Sequence, residues 1–305
     1  MSPDSQPFPD AETLSACERY DLLLRRGGGL PIRGRPLQGG RASGTDFEGH
    51  REYTPGLPLR HLDWNLYVRL RGFWVRTFRD EGAGRLEVFL DASGSMGFGE
   101  PTKLHLARRV AAVLIHGGLR SCHDVALHIA CDGGVQTTHF SGGMSRQAFE
   151  VLGKVTARGP TALALAVDYA ARTAARHGAR TAGSSGRGDA IVLGDLLDPA
   201  GPEPFFAALS RAGYRTDALR FSARGEFDLP ESVRGVRDPE SDGHAGLPLD
   251  RAGLLARIGE ERARWLAAAS RQGVTVHDVQ SDTPLGLVLA SFTEAVLRGR
   301  GSGHG

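Results

Sequence analysis

From residue 85 onward the apolar positions alternate between two periods. Short apolar runs read as strands over Arg85 to Leu90, Asp124 to Cys131, Val135 to Phe140, Ala190 to Leu193, Thr216 to Phe221 and Val274 to Val279. Between them lie stretches of helical period. Thr102 to Gly118 puts Leu106, Val110, Val113, Leu114 and Gly117 on one face, with Gly117-Gly118 as the expected stop. Ser145 to Ala157, Leu163 to His177, Glu203 to Ala212 and Leu285 to Leu297 are further helices. Arg251 to Arg271 is a long one, with Leu254, Leu255, Ile258, Trp265, Leu266 and Ala269 on one side. Asp132-Gly133-Gly134 between two strands is a hairpin signal.

This alternation predicts an α/β fold: a doubly wound, mostly parallel sheet with helices on both faces. The domain covers 85–298. Residues 22–84 are rich in Gly and Arg, poor in helical period and strand-containing, and form a separate small region. Residues 1–21 read as an unstructured extension and 299–305 as a flexible tail.

Composition narrows the setting. With 305 residues and 40% hydrophobic content the chain can bury a full core. Lys plus Arg is 37 against 35 for Asp plus Glu, so no global charge draws it to nucleic acid or an anionic membrane. Only Lys103 and Lys154 are lysines, a bias that reads as genomic base composition. Cys17, Cys122 and Cys131 lack zinc-site spacing and do not make a disulfide framework. No apolar stretch is long enough to span a bilayer and no signal peptide precedes the domain, so a cytoplasmic location with no membrane span is expected.

The candidate chemistry sits in VFLDASGSMG, Val88 to Gly97, where a buried strand runs into small oxygen-bearing side chains. Ligands of open α/β sheets bind at the carboxyl ends of strands, and Asp91, Ser93 and Ser95 stand at such an end. Asp195 follows another strand in the same way, and Thr161 precedes a helix aimed at the same rim.

Three chemistries compete. A serine hydrolase using Ser95 or Ser93 wants a glycine where Ser93 stands, and its best histidine, His277, lies inside an apolar strand. Phosphoryl transfer through Asp91 lacks the second carboxylate two residues on. A hard-cation site is favoured, with Asp91 and Asp195 as carboxylates and Ser93, Ser95 and Thr161 as hydroxyls around Mg²⁺. So few carboxylates leave the ion short of negative charge, so it would accept a partner's acidic residue.

The D-x-S-x-S-M loop, the Thr of GPTAL and the Asp of VLGDLLD resemble the metal-ion-dependent adhesion site of von Willebrand factor A domains. Phe47-Glu48-Gly49, Arg51-Glu52-Tyr53, Pro55-Gly56, Arg60, Asp63-Trp64, Arg69 and Val75-Arg76 are similar to the signature of the bacterial domain-of-unknown-function fifty-eight family. VRDPESDG and RWLAAASRQGVTVHDVQSDTPLGLVLASF match that family's closing part, and the likeness extends from about Leu22 to Leu297.

The resemblance implies a von Willebrand factor A-like fold with Mg²⁺ (or Mn²⁺ or Ca²⁺) at Asp91, Ser93, Ser95, Thr161 and Asp195. It also implies a non-enzymatic adaptor working with a MoxR-type AAA+ ATPase in a chaperone-like system. Many members carry transmembrane helices ahead of the signature, and this chain is expected to be a short soluble form. Where the family has Pro-Gly-Asp-Asp, this chain has Pro55-Gly56-Leu57-Pro58.

Residues 60–79 interleave Arg60, Arg69, Arg71, Arg76 and Arg79 with Trp64, Tyr67, Phe73, Trp74 and Phe78. Such a pattern can bind single-stranded nucleic acid. Half-buried strand alternation explains it more simply. The favoured reading makes Arg60, Asp63, Trp64, Arg69 and Arg76 part of the surface an ATPase recognises.

Overall fold

The computed structural model describes residues 7–25, 46–52, 73–79, 85–121, 124–177, 188–197, 201–226, 240 and 251–301. In chain order these form α1 (Ala11–Arg25), β1 (Asp46–Glu52), β2 (Trp74–Arg79), β3 (Arg85–Asp91), α2 (Lys103–Ser121), β4 (Asp124–Cys131) and β5 (Gly134–Phe140). There follow α3 (Ser145–Gly153), α4 (Leu163–His177), β6 (Asp189–Gly194), α5 (Pro202–Arg211), β7 (Arg215–Ser222), α6 (Arg251–Arg271), β8 (Thr275–Gln280) and α7 (Leu285–Gly301).

The strands from β3 onward make one six-stranded sheet in the order β5-β4-β3-β6-β7-β8, parallel except for the edge pair β4–β5. Asp132 (φ 53°) and Gly133 (φ 67°) both adopt left-handed backbone, and this two-residue turn closes the predicted β4–β5 hairpin. β1 and β2 form a separate antiparallel pair, with the register irregular between Phe47 and Gly49.

β3 is apolar throughout because both of its faces are covered. Leu86, Val88 and Leu90 pack into a core with α2, while Phe89 joins the opposite core of α4, α5 and α6. Phe89 is fully buried and stacks on His128 at 4.8 Å between ring centroids. Burying such a side chain stabilises the fold by about 2–3 kcal/mol. Glu87, on the same strand, is also fully buried, and its carboxylate accepts from Tyr214 Oη at 3.1 Å and meets His128 Nε2 at 2.7 Å. A buried carboxylate is tolerable when its lone pairs are met in this way.

Two expected bounds shift, since α7 runs to Gly301 into the tail expected over 299–305 and the helix expected over Ser145 to Ala157 ends at Gly153, and three further sequence expectations need correction. α2 does not stop at Gly117-Gly118 but runs to Ser121. A Cβ on Gly118 would lie 2.6 Å from Leu86 Cδ2, so glycine serves there to let helix and sheet approach. The second correction concerns residues 1–21: the chain is helical from Ala11, with Cys17 and Tyr20 buried. Asp10 caps α1 by accepting from Thr13 N at 2.8 Å, and Arg109 on α2 pairs with Asp10 at 3.0 Å and with Glu12. Glu12 also accepts from Leu285 N at the start of α7. The docking combines a small apolar face, Ala16, Cys17 and Tyr20, with these ion pairs, and apolar periodicity does not register the ion pairs. Finally, α6 buries Trp265, Ala268 and Ala269, but Leu255 and Leu266 are exposed.

Candidate metal and docking site

The switch in strand order falls between β3 and β6, whose neighbours β4 and β7 lie on opposite sides. A crevice at the carboxyl ends of these two strands is where such sheets bind ligands. Asp91 is the last residue of β3 and Asp195 follows β6, so the sheet brings two sequence-distant carboxylates to one rim. The register pairs Leu90 with Leu193 and places Gly194 against the Asp91 side chain. A Cβ on Gly194 would meet Asp91 Cβ at 2.9 Å and Oδ2 at 3.3 Å, which makes this glycine one wall of the site.

After Asp91 the chain turns through a short 3₁₀ segment, Gly94–Gly97. Asp91 Oδ1 accepts from Ser93 N at 2.9 Å, fixing the turn. The Ser93 and Ser95 hydroxyls share a hydrogen bond at 3.1 Å, and Thr161 Oγ1 donates to Asp91 Oδ2 at 3.3 Å. The Thr161 segment is tied on by backbone bonds: Gly94 N donates to Gly159 O at 2.8 Å and Arg158 N to Ala92 O at 2.9 Å. Asp91, Ser93, Ser95 and Thr161 are thus linked by hydrogen bonds at the carboxyl end of β3.

Asp195 is held by groups that sequence reasoning did not assign. Lys103, in the first turn of α2, is fully buried and donates from Nζ to Asp195 Oδ2 at 2.8 Å and to Glu226 Oε1 at 2.5 Å. Asp195 Oδ1 accepts from Leu197 N at 3.2 Å. Burial works against the Lys103 charge, but the Asp195 and Glu226 carboxylates more than offset it and hold the ammonium above the ordinary lysine value. Glu240 is, after Lys103 and Glu226, a third unassigned group: its Oε2 accepts from Thr161 N at 3.3 Å. Lys103 and Glu240 had a faint sequence signal, since Lys103 is one of only two lysines and Glu240 lies inside VRDPESDG.

Four carboxylates therefore share this rim with one ammonium. Burial, then the Asp195 charge, push the Asp91 carboxyl up to about 7, with Glu240 adding to the rise and the Ser93 hydrogen bonds opposing it. Among the described residues no three His, Cys, Asp or Glu side chains converge to hold a metal. The donor set is instead mixed, one buried carboxylate with three hydroxyls, a hard-oxygen environment suited to Mg²⁺, Mn²⁺ or Ca²⁺. By the acidic excess and the donor chemistry, the residues fit a divalent cation.

His277 does not serve the serines. It pairs with Leu219 on β7, which pairs with Leu193 on β6, which pairs with Leu90 on β3. Three strand spacings put it roughly 14 Å from β3. Its ring packs edge-on against Phe292. Of the expected partner-binding residues, Arg60, Asp63, Trp64 and Arg69 lie outside the described residues, as do Leu57 and Pro58, while Arg76 is on β2 opposite His50. No helix among the described residues is long and apolar enough to cross a membrane.

No functionally curated protein matches the chain. Solved structures resemble it over part of its length. Manganese-loaded TRAP protein of Plasmodium vivax is 16% identical over 46% of this chain and 57% of that one, with a TM-score of 0.35. The SpRpn10 VWA domain is 10% identical over 68% and 95%, TM-score 0.37. The pilus adhesin SpaC of Lactobacillus rhamnosus GG is 11% identical over 71% and 30%, TM-score 0.41. The present chain thus spans little more than half of the TRAP structure and under a third of SpaC. The fold, a von Willebrand factor A-like doubly wound sheet, is defined by its own strand order and register. The family model for the protein of unknown function DUF58 matches residues 49–264, and the chain belongs to that family.

Proposed function

We propose that this protein is a non-enzymatic, metal-dependent protein-interaction module. Asp91, Ser93, Ser95 and Thr161 hold a divalent cation, Mg²⁺ by preference, and Asp195 supports it, directly or through water, while paired to Lys103. The bound ion supplies an electrophilic point that attracts a carboxylate from outside. The carrying observation is the buried Asp91 carboxylate, crowded by Asp195 and Glu240 and linked to the Thr161 hydroxyl. Such a group gains most from a cation.

The rim around the site favours a protein as the partner. Phe98, directly after the 3₁₀ segment, is 50% exposed, and Leu197, whose N–H binds Asp195, is 42% exposed. Aromatic side chains are enriched at protein contacts, and Phe98 stands exposed beside the charged centre. We take that partner to be a MoxR-type AAA+ ATPase in a chaperone-like system, the partner the family resemblance implies. Capture of such a purified ATPase by the full chain is expected with Mg²⁺, and to fall at least about tenfold, the equivalent of 1.4 kcal/mol, with EDTA or Thr161→Ala. Equal capture under all three conditions would refute the metal-dependent reading.

A further inference from the structure

β5 is one edge of the sheet, and among the described residues no strand pairs with its outer side. The two-residue turn before it sets the ladder: Gly134, Gln136 and Thr138 exchange hydrogen bonds with β4, so the backbone groups of Val135 and Thr137 point outward. Proteins guard such edges with charged side chains, prolines or bulges. Gly134–Phe140 contains no Asp, Glu, Lys, Arg or Pro, and its register with β4 is regular throughout. The opposite edge strand, β8, carries Asp278, which accepts from Arg220 at 2.6 Å and from Arg262 at 2.8 Å. β5 lacks that protection.

Beside this edge, a cavity of about 450 Å³ lies between β4, β5 and α3. Ile129, Val151 and Val155 give it apolar walls, Gln136 stands on its β5 side, and Lys154 and Arg158 are exposed on its rim. The Arg158 segment is fixed against the hairpin: Asp132 N donates to Arg158 O at 3.2 Å, and a Cβ on Gly159 would lie 2.6 Å from Asp132 Cα. Glu150, the acid of the lining, pairs with Arg146 at 3.2 Å, whereas among the described residues no ion pair engages Lys154 or Arg158. The rim therefore holds two positive side chains without a counter-charge. We propose that the outer edge of β5 is a strand-addition site for an extended segment of a partner protein, with an acidic side chain of that segment seated between Lys154 and Arg158. An added strand lies about 4.8 Å beyond β5, pairs with the backbone of Val135 and Thr137, and turns alternate side chains toward the cavity. Main-chain bonds supply affinity and the charged seat supplies specificity. This surface is separate from the candidate cation site and does not depend on it.

The test uses the full chain with an end-blocked peptide of alternating valine and glutamate, beside the same peptide with lysine in place of glutamate. Calorimetry measures affinity, and amide exchange followed by NMR reads the strand edge. The glutamate peptide is expected to bind, and the lysine peptide to bind at least about tenfold more weakly. Lys154→Gln and Arg158→Gln, both at exposed positions, should each weaken the glutamate peptide about fivefold, the upper range for an exposed ion pair, without moving the thermal midpoint. In the complex, exchange at the Val135 and Thr137 amides is expected to slow at least about tenfold, while Gln136 and Thr138, already bonded to β4, change little. No saturable binding of the glutamate peptide, or equal binding of the two peptides, overturns the proposal. Charge-dependent binding that leaves the Val135 and Thr137 amides unprotected also overturns it, since the cavity then takes a carboxylate without an added strand.

Discussion

Lys103 Nζ lies 2.8 Å from Asp195 Oδ2 inside the protein, joining the start of α2 to the end of β6 across the candidate site. The ammonium has no exposed surface and the Asp195 side chain is only 4% exposed, so neither charge is shared with bulk water. Glu226, which also binds Ala223 N at 2.8 Å, completes the arrangement. This ion pair keeps one side of the rim folded whether or not a cation is present on the other.

Lys103→Met should therefore destabilise severely, because it strands Asp195 and Glu226 without a counter-charge. The expected loss is about 3–5 kcal/mol in urea unfolding, the range for breaking one side of a buried pair. Adding Glu226→Gln should recover part of it, since one stranded charge is then removed. A Lys103→Met variant as stable as wild type would show that Asp195 is hydrated rather than dependent on the lysine.

Gly194→Ala tests the wall of the site. Its Cβ would fall 2.9 Å from Asp91 Cβ, and both strands are pinned by their neighbours, so Asp91 has to move. Overpacking of this kind costs about 1–3 kcal/mol. The variant should also lose most of its response to Mg²⁺ or Mn²⁺ in thermal unfolding. An unchanged response would place the cation away from Asp91.

The docking of α1 predicts a pH dependence. Burial pushes the Asp10 carboxyl upward, but hydrogen bonds from Thr13 and the charge of Arg109 outweigh it and hold it below the usual carboxylate value of 3.8. A depressed folded-state value stabilises above the unfolded value and is lost as pH falls through the folded one. Asp10→Ala should thus cost about 1 kcal/mol at pH 7, as for loss of a helix cap. As pH falls below about 4 the gap between wild type and variant should begin to narrow. Urea midpoints at pH 7 and at successively lower pH measure it, and a gap that does not narrow at all would assign the effect to packing.

Much of this architecture is legible from apolar period alone. Leu163–His177 and Arg251–Arg271 are helices over the expected spans, and the Asp132-Gly133 turn closes the expected hairpin, because local propensity and burial agree there. The D-x-S-x-S loop is visible for the same reason, since small polar residues at the end of a buried strand stand out. Lys103, Glu226 and Glu240 are not visible as site residues, because Lys103 and Glu226 meet Asp195, and Glu240 meets Thr161, only through contacts between residues far apart in sequence. Gly118 mimics a helix stop although its role is close approach to Leu86. α1 is hidden because its buried face is short and weakly apolar, Ala16, Cys17 and Tyr20, and is supplemented by the ion pairs of Asp10, Glu12 and Asp21.

The central claim is that a divalent cation binds the folded protein through Asp91. Thermal unfolding with and without Mg²⁺ or Mn²⁺, run beside Asp91→Ala, tests it directly, because a ligand that binds only the folded state raises its stability. At a hundredfold excess over the dissociation constant the gain is about 2.7 kcal/mol. That corresponds to a rise of roughly 5–10 °C in the midpoint for a domain of this size. The account predicts this rise for wild type and its absence for Asp91→Ala. No rise in wild type at saturating metal, or an equal rise in both proteins, would contradict it.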